Sequence, residues 1–176
     1  MSVLKKKWFI LFILILAFSA SVLFIPIRKA LVFQYKNTNK VLAFIPVSDN
    51  QYFKIKFTHS IHLTDVFESY VITHDDQIKQ YELEYEDTAI GMPSDSSEGE
   101  KFIMKDGKYY ITNMNRIFQS FDLRIGQVRA NHTVIFDGEE YPLANYIEPG
   151  TRVRIEVKKI NLLQEMEGVN ILEHKN

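Results

Sequence analysis

The sequence predicts an all-β protein, a sandwich or partly open barrel of about 8–10 short antiparallel strands, preceded by one N-terminal transmembrane helix. Three observations support this prediction. Short apolar or alternating runs follow one another after residue 40, and Asp-Gly pairs stand between several of these runs. An uncharged, mostly apolar run of 20 residues extends from Trp8 to Ile27. Periodicity typical of a long amphipathic helix does not appear elsewhere in the sequence.

The N-terminal segment is predicted to be a membrane anchor. Lys5, Lys6 and Lys7 precede the run from Trp8 to Ile27, and 20 residues in a helix span about 30 Å, the thickness of a bilayer's hydrocarbon core. A cleaved signal peptide is the alternative, with small residues near the cleavage point. Those small residues are Ala17, Ser19, Ala20 and Ser21. The apolar run continues past them, which favours an uncleaved, single-pass anchor. The lysines before it are expected to stay in the cytoplasm, which sets the orientation of the anchor.

This assignment divides the chain into four segments. Residues 1–29 hold the lysines and the anchor, residues 30–40 a linker, residues 41–160 an extracytoplasmic β-domain, and residues 161–176 a C-terminal tail. Within the tail, two outcomes are open, a short helix through Leu162 to Glu167 or a frayed end. The five cations up to Lys29 leave 16 of the 21 basic residues against 22 acidic ones, a formal charge of −6. This acidic balance argues against nucleic acid as a partner.

The predicted strands are short runs bounded by turn residues. In chain order they are VLAFIPV, QYFKIKFTH, VFESYVIT, IKQYELEYED, KFIMK, KYYIT, SFDLRIG, HTVIF, EEYPL and RVRIEVKKI. The last run alternates, which predicts Val153, Ile155 and Val157 on the buried face. Asp106-Gly107 and Asp137-Gly138 each stand between two such runs, and this dipeptide favours a tight hairpin because both turn residues need positive φ.

The segment FTHSIHLTDVFESY places His59, His62, Asp65 and Glu68 at a repeating interval of three. These are metal-ligand types, and a 3₁₀-like turn would align them. The surrounding aromatic and β-branched residues favour strands instead, whose successive side chains point to opposite faces. We therefore predict a strand, a turn and a second strand with a hydrogen-bonded polar patch, and no metal. A site of His59, His62, Asp65 and Glu68 is the alternative.

Catalysis is not predicted. A nucleophilic serine must lie within hydrogen-bond distance of the histidine that acts as its base, and the side chains of the adjacent His59 and Ser60 on a strand point to opposite faces. Glu68 lies among aromatic residues in a predicted strand, so its carboxylate needs a partner. We expect that partner to be His59, Arg116 or Arg124.

The stretch FTHSIHLTDVFESYVI, followed by YEDTAIGMPS, resembles the bacterial family called domain of unknown function 1850. The resemblance covers roughly Phe53 to Ser94. The matching residues are His59, Ser60, Thr64, Glu68, Tyr70, Gly91, Met92 and Pro93. It implies a small extracytoplasmic protein of a kind commonly encoded beside membrane subunits of tripartite ATP-independent periplasmic transporters of the TAXI type. It implies no activity.

Together these observations predict a membrane-anchored, non-catalytic accessory or interaction domain of a solute transport system, without a cofactor. Its partners would be the bilayer, through Trp8 to Ile27, and the TAXI-type membrane subunit or solute-binding protein. The recognition or structural patch comprises His59, Ser60, His62, Thr64, Glu68, Tyr70, Gly91, Met92, Pro93 and Ser94. The alternatives are an independent envelope domain that binds a small ligand or a metal and, less favoured, an envelope enzyme that uses His59 and Glu68.

Overall fold

The computed structural model describes residues 3–61, 63–86 and 92–173. These residues form mostly β-structure, as predicted, with two helices and one 3₁₀ turn. The elements are α1 (Val3–Val22), β1 (Pro26–Tyr35), β2 (Val41–Pro46), β3 (Tyr52–Thr58), β4 (Asp65–Ile72), β5 (Ile78–Tyr85), β6 (Lys101–Lys105), β7 (Lys108–Thr112), β8 (Arg116–Phe118), β9 (Ser120–Arg124), β10 (Thr133–Phe136), β11 (Glu139–Pro142), the 3₁₀ turn (Leu143–Asn145), β12 (Arg152–Asn161), α2 (Leu162–Glu167) and β13 (Val169–Asn170).

The strands form two open sheets. One has five strands in the order β13-β2-β1-β12-β9, and the other has eight, in the order β11-β10-β3-β4-β5-β7-β6 with β8 beside β5. The short strand β13 pairs parallel to β2, and the other pairings between described strands are antiparallel. Inward side chains of both sheets share one core, for example Phe33 and Ile155 from the first sheet and Ile55 and Phe136 from the second.

Strand β1 corrects the prediction of a linker at residues 30–40. It lies between β2 and β12, and it covers residues 30–35, which were assigned to the linker. The side chains of residues 30–34 are buried, because both faces of β1 are covered: Leu31 and Phe33 pack in the shared core, and Ala30 and Val32 belong to a second cluster on the other face. A strand buried on both faces shows no alternation. Its sequence therefore reads as a continuation of the preceding apolar run.

The transmembrane prediction is not supported. No helix in the described part of the chain is both long and apolar enough to cross a membrane. Helix α1 ends at Val22, and β1 begins at Pro26, so the run from Trp8 to Ile27 is not one helix. The helical portion from Trp8 to Val22 spans only about 22 Å at 1.5 Å per residue.

The two Asp-Gly hairpins and the short C-terminal helix are confirmed. Asp106 and Gly107 have φ of 53° and 78°, and Asp137 and Gly138 have φ of 50° and 82°, as a type I′ turn requires. Helix α2 covers the predicted residues Leu162–Glu167 and begins with a capping box between Asn161 and Gln164. The number of strands exceeds the prediction because β1, β8 and β13 were not recognised.

Candidate functional site

The polar segment of the sequence forms the hairpin between β3 and β4. Thr58 Oγ1 donates a hydrogen bond to Asp65 Oδ1 at 3.0 Å where the two strands end. Beyond this pair, the His59 N–H donates to the Thr64 carbonyl at 2.8 Å, and the Leu63 N–H donates to the His59 carbonyl at 3.0 Å. The strand–turn–strand interpretation is therefore confirmed, with half-buried His59 in the turn rather than in β3. His62 lies outside the described residues.

The tip of this turn carries two exposed apolar side chains. Ile61 is 57% exposed and Leu63 is 59% exposed. Leu63 also has a φ of 58°, a left-handed conformation that is unusual for a residue with a branched side chain. The two backbone hydrogen bonds across the turn hold Leu63 in this conformation. Ser60, between the histidine and Ile61, is exposed as well.

The register of β4 separates Glu68 from Asp65. Glu68 lies opposite Ile55 and Leu83, on the face that also carries Val66 and Tyr70, whereas Asp65 lies on the other face. The three-residue interval therefore directs these two carboxylates apart. Among the described residues, no group of three His, Asp or Glu side chains is arranged to hold a metal ion. The alternative metal set also includes His62, which lies outside the described residues.

Glu68 has a different partner from those expected. The Tyr70 hydroxyl donates a hydrogen bond to Glu68 Oε2 at 2.9 Å, two residues along the same face of β4. Arg116 instead pairs with Glu100 at 3.0 Å, and the Arg124 Nε donates to the Gly150 carbonyl at 3.3 Å. Neither arginine is the partner of Glu68 because each is bound elsewhere.

Burial controls the ionisation of this pair. Loss of solvent raises the pKa of the Glu68 carboxyl, and the hydrogen bond from Tyr70 opposes this only in part. The pKa of Tyr70 is raised as well, first by burial and then by the nearby Glu68 carboxylate. The Tyr70 ring stacks against Phe53 at 5.1 Å and against Phe121 of the other sheet at 5.4 Å. Glu68 and Tyr70 therefore stabilise the interior and do not form an exposed recognition surface.

The loop after β5 is attached to the domain by contacts of Met92 and Pro93. The Tyr85 hydroxyl donates a hydrogen bond to the Pro93 carbonyl, and Met92 packs against buried apolar side chains. Ser94 and Asp95, which follow, are exposed. Gly91 lies outside the described residues.

One apolar cluster lies beneath both loops, and we call it the loop-base cluster. Its buried members are Val66, Leu83, Tyr85, Ile111 and Met114, with Phe57, Met92, Phe102 and Tyr109 packed against them. Phe57 and Val66 belong to the β3–β4 hairpin, and Met92 belongs to the second loop. Two segments that the sequence separates by about thirty residues therefore share one base. The sequence analysis did not identify Tyr85 as the residue that binds this loop. Its position at the end of the alternating run IKQYELEY does predict that its side chain points inward.

The chain is a two-sheet β-domain in which two loops lie above the loop-base cluster. We call these loops the two-loop surface (residues 59–61, 63–64 and 92–95). A protein-family model described as domain of unknown function (DUF1850) matches residues 53–143. The match covers just over half of the chain, and the chain belongs to this family. It includes nearly all of the eight-stranded sheet, but β1, β2, β12 and β13 lie outside it. No curated protein and no solved structure matches the chain.

Proposed function

We propose that this chain is a non-catalytic, extracytoplasmic interaction domain of a solute transport system, attached to a membrane through α1. The two-loop surface is the part that contacts the partner protein. The observation on which the proposal rests is the pair of exposed apolar side chains, Ile61 and Leu63, on a turn with two backbone hydrogen bonds above the loop-base cluster.

An apolar tip on a hydrogen-bonded turn is suited to recognition. An exposed Ile or Leu gains free energy when a partner covers it, and a pre-formed loop loses little conformational entropy in the process. The left-handed backbone of Leu63 costs free energy in the isolated chain, and such strained residues are concentrated at functional sites. The exposed polar residues Ser94 and Asp95 belong to the second loop and supply hydrogen-bonding groups for the rim of an interface.

The membrane attachment rests on the surface of α1. The side chains of residues 8–19 are all exposed, and Trp8, for example, is 66% exposed. A helix that exposes apolar side chains on every side is stable only when another apolar phase covers it. A lipid bilayer is such an apolar phase. The transporter context comes from the resemblance that the sequence analysis described, and the proposed partner is the membrane subunit or the solute-binding protein of a TAXI-type transporter.

Site-directed crosslinking tests the partner surface, because the chain contains no cysteine and each introduced thiol is unique. Ile61→Cys and Ser94→Cys place a thiol on the two loops. Asp75→Cys places one on the exposed turn between β4 and β5, at the end of the same sheet opposite the β3–β4 turn. With the full chain co-expressed beside the TAXI-type membrane subunit and solute-binding protein, we expect crosslinks from the two loop positions and none from position 75. Equal yields at all three positions, or none at any, would contradict the proposal.

A second variant separates recognition from folding. Leu63→Asp makes the tip polar and exposed to water, so thermal unfolding should stay close to that of the unchanged chain, whereas copurification with the partner should fall. Ser60→Asp, on the same turn, is the control for added charge. Unchanged copurification of the Leu63→Asp chain would show that the tip is not the contact.

Membrane attachment is tested by fractionation. The tagged full chain should remain in the membrane pellet after a carbonate wash, because apolar contacts persist when electrostatic ones are lost. The double variant Leu11→Glu with Leu14→Glu should appear in the supernatant. Release of the unchanged chain by carbonate would rule out attachment through α1.

A further inference from the structure

A second candidate site lies on the five-stranded sheet, and we call it the basic groove. It is an open groove of about 800 Å³ at the end of the sheet where β1 and β9 end and β12 begins. The residues that line it include Tyr35, Lys36, Arg124, Glu148, Thr151 and Arg152. Three of these are cations and one is an acid, although residues 30–176 as a whole carry an excess of acidic side chains.

The basic groove contains two arginines that face each other across a strand pair. Arg124 of β9 lies directly opposite Arg152 of β12 in the antiparallel register. Residues directly opposite in such a pair have adjacent side chains, and like charges in these positions destabilise the sheet. The Arg124 Nε donates to the Gly150 carbonyl at 3.3 Å, whereas the Arg152 guanidinium makes no hydrogen bond or ion pair with the described residues. The fold thus contains a repulsion that an anion between the two guanidinium groups would relieve.

Nearby acids do not neutralise this pair. Asp122 is engaged by two other cations, Lys36 and Arg154, and the distance from Arg154 Nε to Asp122 Oδ1 is 3.1 Å. These two partners hold the pKa of Asp122 below its usual range, so it stays ionised and paired. Glu148 lines the groove but makes no ion pair with the described cations. The guanidinium groups of Arg124 and Arg152 therefore remain available to a ligand.

We infer that the basic groove binds a small soluble anion that carries a carboxylate or phosphate group between Arg124 and Arg152. Guanidinium groups bind such oxyanions through paired, charge-assisted hydrogen bonds. A smaller cavity of about 350 Å³ shares Tyr35, Glu148 and Thr151 with the groove and adds less polar side chains, including Leu42 and Ile147. This cavity is large enough to hold the uncharged part of the same ligand.

The position of the groove favours a soluble anion over a lipid headgroup. Strand β1 begins four residues after α1 and ends at Tyr35, on the groove. Ten residues of strand extend about 33 Å. The groove and α1 therefore lie at opposite ends of β1, so the membrane that holds α1 is remote from the groove. The inference does not depend on the two-loop surface, which belongs to the other sheet.

The test is calorimetric titration of the detergent-solubilised full chain with inorganic phosphate and with succinate at matched ionic strength. We expect saturable one-site binding of at least one of them, which identifies the preferred oxyanion. Arg152→Gln should weaken that binding at least tenfold, and Arg124→Gln with Arg152→Gln should remove it. Lys105→Gln, which removes a cation from the other sheet, should bind like the unchanged chain. No binding of either anion, or equal weakening by Lys105→Gln, would overturn the inference.

Two further measurements exclude misfolding and a lipid ligand. Without anion, Arg152→Gln should unfold at a higher temperature than the unchanged chain, because the substitution removes the repulsion with Arg124. A more stable variant that no longer binds cannot be explained by loss of structure, whereas a lower unfolding temperature together with lost binding would count against the groove. To test a lipid ligand, the same titration is repeated with mixed micelles that contain phosphatidylglycerol. Binding of these micelles through Arg152, without binding of either soluble anion, would show the inference to be wrong.

Discussion

Each sheet contains an ionisable side chain without a partner of opposite charge among the described residues, in the interior of one sheet and on the outer surface of the other. In the eight-stranded sheet, Glu68 points inward and accepts a hydrogen bond from the neutral Tyr70 hydroxyl at 2.9 Å. In the five-stranded sheet, Arg124 and Arg152 point outward, directly opposite each other. An ionised carboxylate in the interior and two adjacent like charges would each lower the free energy of unfolding, and both groups lie within an otherwise well-packed domain.

The difference lies in how each charge can be relieved. A half-buried carboxyl can take up a proton, and partial burial raises the pKa of Glu68 in that direction. An arginine keeps its proton at any pH that a protein tolerates, so the outward pair stays charged and attracts anions instead. Burial therefore makes Glu68 a structural group, and exposure makes the arginine pair a candidate binding site.

Truncating Tyr70 should have the largest effect, because its ring joins both sheets through Phe53 and Phe121. Tyr70→Ala should lower the free energy of unfolding by about 3–5 kcal/mol. Tyr70→Phe keeps the ring and removes only the donor to Glu68, at a cost of about 1 kcal/mol. Urea denaturation measures both. Equal losses for the two variants would mean that the hydroxyl, and not the ring, dominates.

Removing the carboxyl itself should have the next largest effect. Glu68→Ala leaves the buried Tyr70 hydroxyl without its acceptor and should lower the free energy of unfolding by about 1–3 kcal/mol at pH 5. Glu68→Gln retains a carbonyl oxygen that can accept from Tyr70, so its loss should be smaller. Denaturation of both variants under the same conditions checks this order. A Glu68→Gln chain that is less stable than Glu68→Ala would contradict the hydrogen-bond assignment.

The stability should also depend on pH through Glu68. Its pKa in the folded chain lies above the ordinary value of 4.5, so the folded state favours the protonated form. The stabilising contribution is therefore fully present below pH 4.5 and is lost as pH rises through the folded-state pKa. Compared with Glu68→Gln, the unchanged chain should lose stability as the pH rises above 4.5. A difference between the two that stays constant with pH would exclude a raised pKa.

The outward pair should respond in the opposite direction to substitution. Arg152→Gln should raise the free energy of unfolding by about 0.2–1 kcal/mol at low salt, because it removes a like-charge pair. Roughly 0.5 M NaCl should shrink this gain by screening. Arg154→Gln is the control, since it breaks the pair with Asp122 and should not stabilise the chain. A gain in both variants would point to net charge rather than to the pair.

Changes in the second loop should have the smallest effect on stability. Ser94 and Asp95 are exposed, and Asp95 Oδ1 accepts a hydrogen bond from the neighbouring Ser96 N–H at 2.7 Å. Ser94→Ala with Asp95→Ala should therefore change the free energy of unfolding by less than about 0.5 kcal/mol. Partner capture should nevertheless weaken if the two-loop surface is the interface. Thermal unfolding and copurification of the same chain measure the two effects separately.

Local sequence signals determined much of the fold. The Asp-Gly pairs at 106–107 and 137–138 predicted their hairpins, because few dipeptides adopt two consecutive positive φ angles at low cost. The alternation of β12 predicted that Val153, Ile155 and Val157 are buried. The residues Leu162–Glu167 formed the expected helix behind its cap. In each case the signal lies within about ten residues, so it does not depend on distant contacts.

The tertiary structure decided the features that depend on neighbours distant in the chain. Residues 30–35 became the buried strand β1 because β2 and β12 pair with it on both sides. Glu68 faces Tyr70 rather than an arginine because Arg116 and Arg124 have partners elsewhere. The opposition of Arg124 and Arg152 follows from the register of two strands nearly thirty residues apart. Sequence alone specifies the face on which a side chain lies, but strand pairing specifies what it faces.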